Sequence, residues 1–291
     1  MKKKTTKKVD TPEPEKLVHL KFIFNQIGDQ VCTTGLPEII YKKTNTKSVI
    51  TDTKIWAFKY NPYVVFMTEE EAKDLPIIVV QPDTRHEEHR QKYISTFNTH
   101  HLYGQLEFMS TLIGIPGVSL RHPKLYIHDD SEIIPHKIVV HTTGSDRTRL
   151  NEVNIRTNLG EDDIRVMTDE TIDAVLKNYK NFKIIQVGGK DDKPLGGNTI
   201  DLRGKIDLWD VAKEISEASR FIGVNSGLMH IANCYPRVDK RIVLNEFPKQ
   251  SLLTWSPGDM RNFLFSWADA TNMYFNKTPE DIGITYSYTK I

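Results

Sequence analysis

Phe221-Ile222-Gly223-Val224-Asn225-Ser226-Gly227-Leu228-Met229-His230 passes from an apolar run through a turn of small residues into a stretch with helical spacing. Phe221 to Val224 reads as a strand and Gly227 to Asn233 as a helix. A strand feeding directly into a helix is the unit of a parallel sheet, because parallel neighbours must be joined by a crossover. The start of such a helix carries N–H groups without intrahelical partners and a partial positive charge, so this turn is a candidate diphosphate site. Asn225 and Ser226 are also good helix caps, which would explain them without a ligand. His230 lies one turn into the helix and either faces a ligand or is a bystander.

The same alternation extends in both directions. Ile138 to His141 predicts a strand, Glu170 to Tyr179 a helix, Phe182 to Val187 a strand ending in Gly188-Gly189, Leu208 to Ala218 a helix and Ile242 to Leu244 a strand. An earlier series starts with a strand at Leu20 to Phe24 and continues after Gly28 with a helix over Val31 to Lys43. Ser48 to Thr51, Tyr63 to Met67 and Ile77 to Val80 follow as strands. The last of these is wholly apolar, as expected of a strand buried on both faces. His101 to Ile113 reads as an amphipathic helix. The stretch from about 117 to 136 has no long periodic run and marks a boundary. The expected fold class is α/β, with two Rossmann-like domains whose mainly parallel sheets face a cleft. The expected division is a flexible basic arm at 1–17, a first Rossmann-like domain at 18–130, a second Rossmann-like domain at 131–260, and an aromatic-rich segment at 261–291 that crosses back to the first domain.

Composition narrows the class. The chain has 291 residues, 38% hydrophobic and 26% charged, with a net charge of +1. That is the profile of a soluble globular protein. No apolar run approaches the length needed to span a bilayer, and no apolar segment follows the N-terminal charges as in a secretory signal. Cys32 and Cys234 are far apart and lack metal-ligand spacing, which argues against a disulfide framework or a zinc site. The expected compartment is the cytoplasm. Lys2, Lys3, Lys4, Lys7 and Lys8 crowd the start, either as a solvated tail or as a tether to phosphate-rich surfaces.

Two further loops carry chemistry-bearing residues. In Ile27-Gly28-Asp29-Gln30 the acid follows a glycine at the carboxyl end of the first strand, where ligands of open α/β sheets bind. Asp29 there is either a reacting group or a helix cap. His141-Thr142-Thr143-Gly144-Ser145-Asp146-Arg147 offers hydroxyls, N–H groups near a glycine and a guanidinium, a fair phosphate cradle though common in polar loops. Gly188 and Gly189 end another strand and either border a nucleoside or form a plain turn.

Several ordered blocks together resemble glycosyltransferase family nine, the heptosyltransferases of lipopolysaccharide core assembly. The resemblance covers most of residues 20 to 260. It is carried by Phe24-Asn25-Gln26-Ile27-Gly28-Asp29-Gln30-Val31 with Thr33-Thr34 and Leu36-Pro37, and by Asn61-Pro62-Tyr63-Val64. It continues in Leu202-Arg203-Gly204-Lys205 with Leu208 and Ala212, and in Ile222 through Ala232, which is similar to the family's D-S-G-x-x-H-x-A signature. The resemblance implies a GT-B fold and an inverting transfer, with Asp29 as general base. It implies donor binding by Thr142, Thr143 and Arg147, the last standing where a lysine is usual, and by Ser226, Gly227 and His230. Asn225 stands where the family has Asp, so the resemblance does not name the sugar.

The expected function is therefore transfer of a sugar from a nucleotide-diphosphate sugar to an acceptor hydroxyl on a saccharide or glycolipid, with peripheral membrane contact. No cofactor is expected beyond the donor co-substrate, and no metal, since no D-x-D motif closes a strand. Arg85, His100 and His101 belong to a basic, histidine-rich stretch that would meet an anionic acceptor or simply face solvent. A second reading makes the acceptor a hydroxymethylated base in DNA, on the lysine arm and Asn225. A third is a non-catalytic nucleotide-sugar-binding module.

Overall fold

The computed structural model describes residues 16–23, 26–80, 114, 123–144, 166–224, 226–245 and 272–276. The first sheet holds β1 (Lys16–Phe22), β2 (Thr46–Ile50), β3 (Val64–Phe66) and β4 (Ile77–Val80) in the order β3-β2-β1-β4. The second holds β5 (Ile134–His141), β6 (Lys183–Gln186), β7 (Ile200–Asp201), β8 (Ala218–Val224), β9 (Asp239–Asn245) and β10 (Asn272–Asn276) in the order β10-β9-β8-β5-β6-β7. Every pairing in both sheets is parallel. The α/β class with two parallel sheets, expected from the alternation of strands and helices, is the fold of this chain.

One expected helix is two. The run read as a single helix over Val31 to Lys43 divides into α1 (Ile27–Thr33) and α2 (Leu36–Thr44) around Thr34-Gly35. Pro37 sits in the first turn of α2 and has no N–H, so a continuous helix would lose the bond to the Thr33 carbonyl. The break is put to use. The Thr34 carbonyl accepts from Asn61 Nδ2 at 2.8 Å, and Thr34 Oγ1 accepts from the Lys124 N–H at 3.0 Å, tying two loops to this corner.

The later helices start on side chains suited to the task. Thr68 and Glu71 form a reciprocal capping box at α3 (Glu69–Ala72). Thr168 caps α4 (Asp169–Asn178), Asp207 caps α5 (Leu208–Ser216) and Ser226 caps α6 (Gly227–Asn233).

β4 departs from expectation. Ile77 and Val79 are more than half exposed. The strand stands last in the sheet order, paired with β1 alone among the described residues, and an apolar run in sequence does not reveal that position. In the segment expected to cross back to the first domain, 272–276 add β10 beside β9; the rest of it lies outside the described residues, as does the expected helix at 101–113. Among the described residues no helix is long and apolar enough to cross a membrane.

The two halves share a core. A single buried apolar cluster joins Val31, Ile55 and Phe58 to Val139, Phe221 and Met229. At its edge Trp209 of α5 receives Trp56 and Tyr60 edge-to-face, with ring centroids 4.8 and 4.6 Å away. Such pairs contribute about 0.5–1.5 kcal/mol each beyond their burial.

Candidate functional site

The carboxyl ends of the two sheets meet where α1 packs against α6. The contact depends on two glycines. A Cβ on Gly227 would lie 2.9 Å from both Cβ and Cγ2 of Ile27 and 3.1 Å from the Gly28 nitrogen. A Cβ on Gly28 would lie 3.1 Å from Cδ2 of His230. Only bare backbone lets these two first turns approach so closely. The Gly28-Asp29 loop and the Ser226-Gly227-His230 turn, which the sequence placed in different halves, therefore occupy one site.

Asp29 is the third residue of α1 and half-buried. Burial pushes its carboxyl up to about 6 from the ordinary value of 3.8. Gln26 occupies the cap position of α1 and makes no side-chain cap bond. Among the described residues nothing donates to the Asp29 carboxylate and nothing pairs with it. A capping carboxylate would hold backbone N–H groups and be driven the other way, toward a lower pKa. Asp29 is thus a partly desolvated acid with an open hydrogen-bonding capacity, poised near neutrality.

The facing edge of the second sheet is the opposite: its polar groups are engaged with one another. His141, buried at the end of β5, lies 2.9 Å through Nδ1 from Ser226 Oγ and 3.2 Å through Nε2 from Asp192 Oδ2. With the carboxylate drawing the proton to Nε2, Nδ1 is the acceptor and the Ser226 hydroxyl donates to it. Ser226 Oγ in turn accepts from the Met229 N–H at 3.4 Å, as the cap of α6. Asp192 Oδ2 also accepts from the Gly189 N–H at 2.9 Å. Gly188 makes room for this pair. Its φ is +136°, and a Cβ there would sit 2.1 Å from Asp192 Oδ2 and 2.9 Å from His141 Cδ2.

Thr142 and Thr143 are buried and face the same loop. Thr142 Oγ1 donates to the Lys193 carbonyl at 2.5 Å, and Thr143 Oγ1 accepts from the Lys193 N–H at 2.9 Å. Gln186, at the end of β6, donates to the Lys193 carbonyl at 2.8 Å and to Thr142 Oγ1 at 3.2 Å, and accepts from the Leu195 N–H at 2.7 Å. Arg203 Nη1 donates to the Asp192 carbonyl while the same guanidinium pairs with Asp201. The loop after β6 is consequently held from three directions.

Of the residues singled out from sequence, Asp29, Ser226, Gly227 and His230 come together at the helix contact. Thr142, Thr143 and Gly188 stand beside them at the edge of the second sheet. Arg147, Asn225, Arg85, His100 and His101 lie outside the described residues. Sequence reasoning missed His141, Asp192, Gln186 and Cys32. The signal for His141 and Gln186 was a polar residue closing an otherwise apolar strand, where a strand end points its side chain at a site rather than into the core. Cys32 Sγ lies 3.2 Å from His230 Nδ1, a contact across 198 positions that no local pattern reveals. Among the described residues no group of three His, Cys, Asp or Glu side chains is placed to hold a metal ion.

Neither a family model nor a curated protein matches this chain. Solved structures do. A glycosyl transferase family 9 protein from Veillonella parvula superposes with a TM-score of 0.54 at 16% identity, over 79% of this chain and 80% of that one. TibC, an iron-containing dodecameric glycosyltransferase from enterotoxigenic E. coli, superposes with a TM-score of 0.52 at 16% identity, over 79% of this chain and 58% of that one. TibC in complex with ADP-D-beta-D-heptose gives a TM-score of 0.50 at 14% identity, again over 79% and 58%. At these identities the likeness establishes the fold, which is GT-B-like with two parallel sheets.

Proposed function

We propose that this chain is an inverting glycosyltransferase that moves a sugar from a nucleotide-diphosphate sugar to an acceptor hydroxyl. One observation carries the reading: the unengaged, desolvated Asp29 sits at the contact between α1 and α6, within a GT-B-like fold. An acceptor hydroxyl approaching Asp29 loses its proton to the carboxylate as it attacks the anomeric carbon. The nucleoside diphosphate departs from the opposite face. Its growing charge meets the N–H groups at the start of α6 and the ring of His230. Thr142 and Thr143 act one step back, by fixing the loop at 188–195 that borders the donor. Arg147 is assigned to the phosphates on its place in the sequence.

A nucleotide-sugar donor is further supported by the TibC complex, which holds ADP-heptose in the same fold. The acceptor is assigned as a saccharide or glycolipid on the breadth of the family resemblance, and the reaction as metal-independent on the missing D-x-D motif. The test is a transfer assay with a panel of nucleotide-diphosphate sugars, run with and without EDTA, for the wild type and Asp29→Asn. Transfer by the wild type, insensitive to EDTA and lost in the variant, supports the reading. Full activity of Asp29→Asn would sink it.

A further inference from the structure

We propose that Tyr60, backed by Trp209 and Trp56, is the acceptor subsite of this chain: a platform on which a sugar ring of the acceptor stacks while its hydroxyl reaches Asp29. The inference rests on the functional reading above, which needs an acceptor beside Asp29 but gives it no seat. The loop after β2 carries all but one of these rings and is fastened to α1 on both sides of Tyr60. Gln30, the residue after Asp29, donates through Nε2 to the Lys54 carbonyl at 3.1 Å and accepts through Oε1 from the Ala57 N–H at 3.4 Å. Beyond the ring, Asn61 Nδ2 donates to the Thr34 carbonyl at 2.8 Å. Between these anchors a single 3-10 turn, Trp56–Phe58, sinks Ala57 and Phe58 into the core. Tyr60 is thus held beside the helix that bears Asp29, at the carboxyl end of the sheet, where ligands of such sheets bind. Trp209 arrives from the other half, in the first turn of α5, which Asp207 fixes by accepting from the Trp209 N–H at 2.8 Å.

The three rings differ in exposure. Trp56 and Trp209 are partly buried against the shared core and meet edge-to-face, which is enough to join the two halves. Tyr60 packs on Trp209 as well, yet remains 42% exposed. Its ring offers a negative π face, and the C–H groups on one side of a sugar ring are weakly positive, so the two attract as they desolvate each other. The surroundings suit the rest of a sugar. The exposed Lys59 ammonium lies 5.3 Å from the centre of the Tyr60 ring, and Asp207 is exposed at the start of α5, within reach of hydroxyl groups at the rim. A half-exposed ring bordered by charges is too small and too polar a surface for a lipid chain. Because the loop is anchored before any ligand arrives, little ordering cost falls on binding.

The test uses the full-length protein. Titration with ADP, GDP and UDP first decides whether the functional reading stands, since it requires that one of them bind. Saturation-transfer NMR with the methyl glycosides of glucose, galactose, mannose and N-acetylglucosamine, with and without that nucleotide, then reports contact with a sugar ring. At least one glycoside should take up saturation at its ring C–H protons. Tyr60→Ala should weaken that glycoside about three- to tenfold, the range of one aromatic contact, and leave nucleotide affinity within about twofold. Tyr60→Leu, which keeps apolar bulk against Trp209 but has no π face, should lose as much. Tyr60→Phe should bind within about twofold of wild type. In transfer assays the loss in Tyr60→Ala should fall on the acceptor KM rather than on kcat. A protein that binds nucleotide but none of the glycosides would overturn the proposal and leave the functional reading standing. So would equal glycoside binding by Tyr60→Ala and wild type, or binding of hydroxymethylated deoxycytidine at Tyr60 in place of the glycosides. If no nucleotide binds, the functional reading fails, and the glycoside titrations alone decide whether Tyr60 is a saccharide platform.

Discussion

The two sides of the site are built on opposite principles. On the first sheet, α1 offers a carboxylate that no described group engages, and burial lifts it to about 6. On the second, His141, Asp192, Ser226, Thr142, Thr143, Gln186 and Lys193 engage one another almost completely. An unsatisfied acid is costly to keep and is useful only if it reacts. A saturated network is rigid and holds a shape. On the proposed reading, chemistry falls to the first sheet and positioning to the second.

The strongest way to break that assignment is Asp29→Asn. It should lower transfer by about 100- to 10,000-fold, the range for loss of a positioned base, while nucleoside diphosphate affinity stays within about twofold. Unchanged turnover in a steady-state assay would move the chemistry elsewhere. Next is Gly188→Ala, which drives a methyl group into Asp192 and His141 at a positive φ. It should destabilise the protein by about 2–3 kcal/mol in denaturant titrations, through strain and a broken network. A smaller cost would mean that this network is looser than its geometry.

Thr142→Val sharpens the comparison further. If the hydroxyl serves the loop, the variant loses about 1 kcal/mol of stability and only a few-fold in nucleoside diphosphate affinity. A loss of affinity well beyond tenfold, with stability unchanged, would place the hydroxyl on the phosphate directly.

The smallest effect is a pH dependence. A carboxyl whose folded pKa is raised favours the folded state fully below its unfolded value near 3.8, and that contribution is lost as pH rises through about 6. Asparagine does not ionise. Asp29→Asn should therefore melt with the wild type at pH 4 and about 2–5 °C above it at pH 7.5. Equal melting temperatures at both values would mean that Asp29 is not desolvated.

Much of this was legible in the sequence because it is local. The strands at 138–141 and 221–224 and the helix at 227–233 follow from short apolar runs flanked by small or capping residues. The site residues Asp29, Ser226 and Gly227 follow from their place after strands. What was not legible depends on strand order. β5 lies between β6 and β8, and this alone brings His141 to Asp192 and to Ser226. The exposure of Ile77 and Val79 depends on β4 being at an edge. The break between α1 and α2 was written in Pro37, but the helical spacing of Leu36, Ile39 and Ile40 hides it.

The cluster that joins Val31 and Phe58 to Phe221 and Met229 also governs how the protein assembles. Its members, from Val31 to Val238, lie as much as 207 positions apart, so the entropic cost of closing those loops is met before their burial is gained. Neither half made alone can cover its share of this surface, and each would present a sticky apolar face to its surroundings. Folding should accordingly be slow and cooperative, with one unfolding transition by fluorescence and by circular dichroism. A chain cut between 123 and 133 should regain solubility only when both fragments are refolded together.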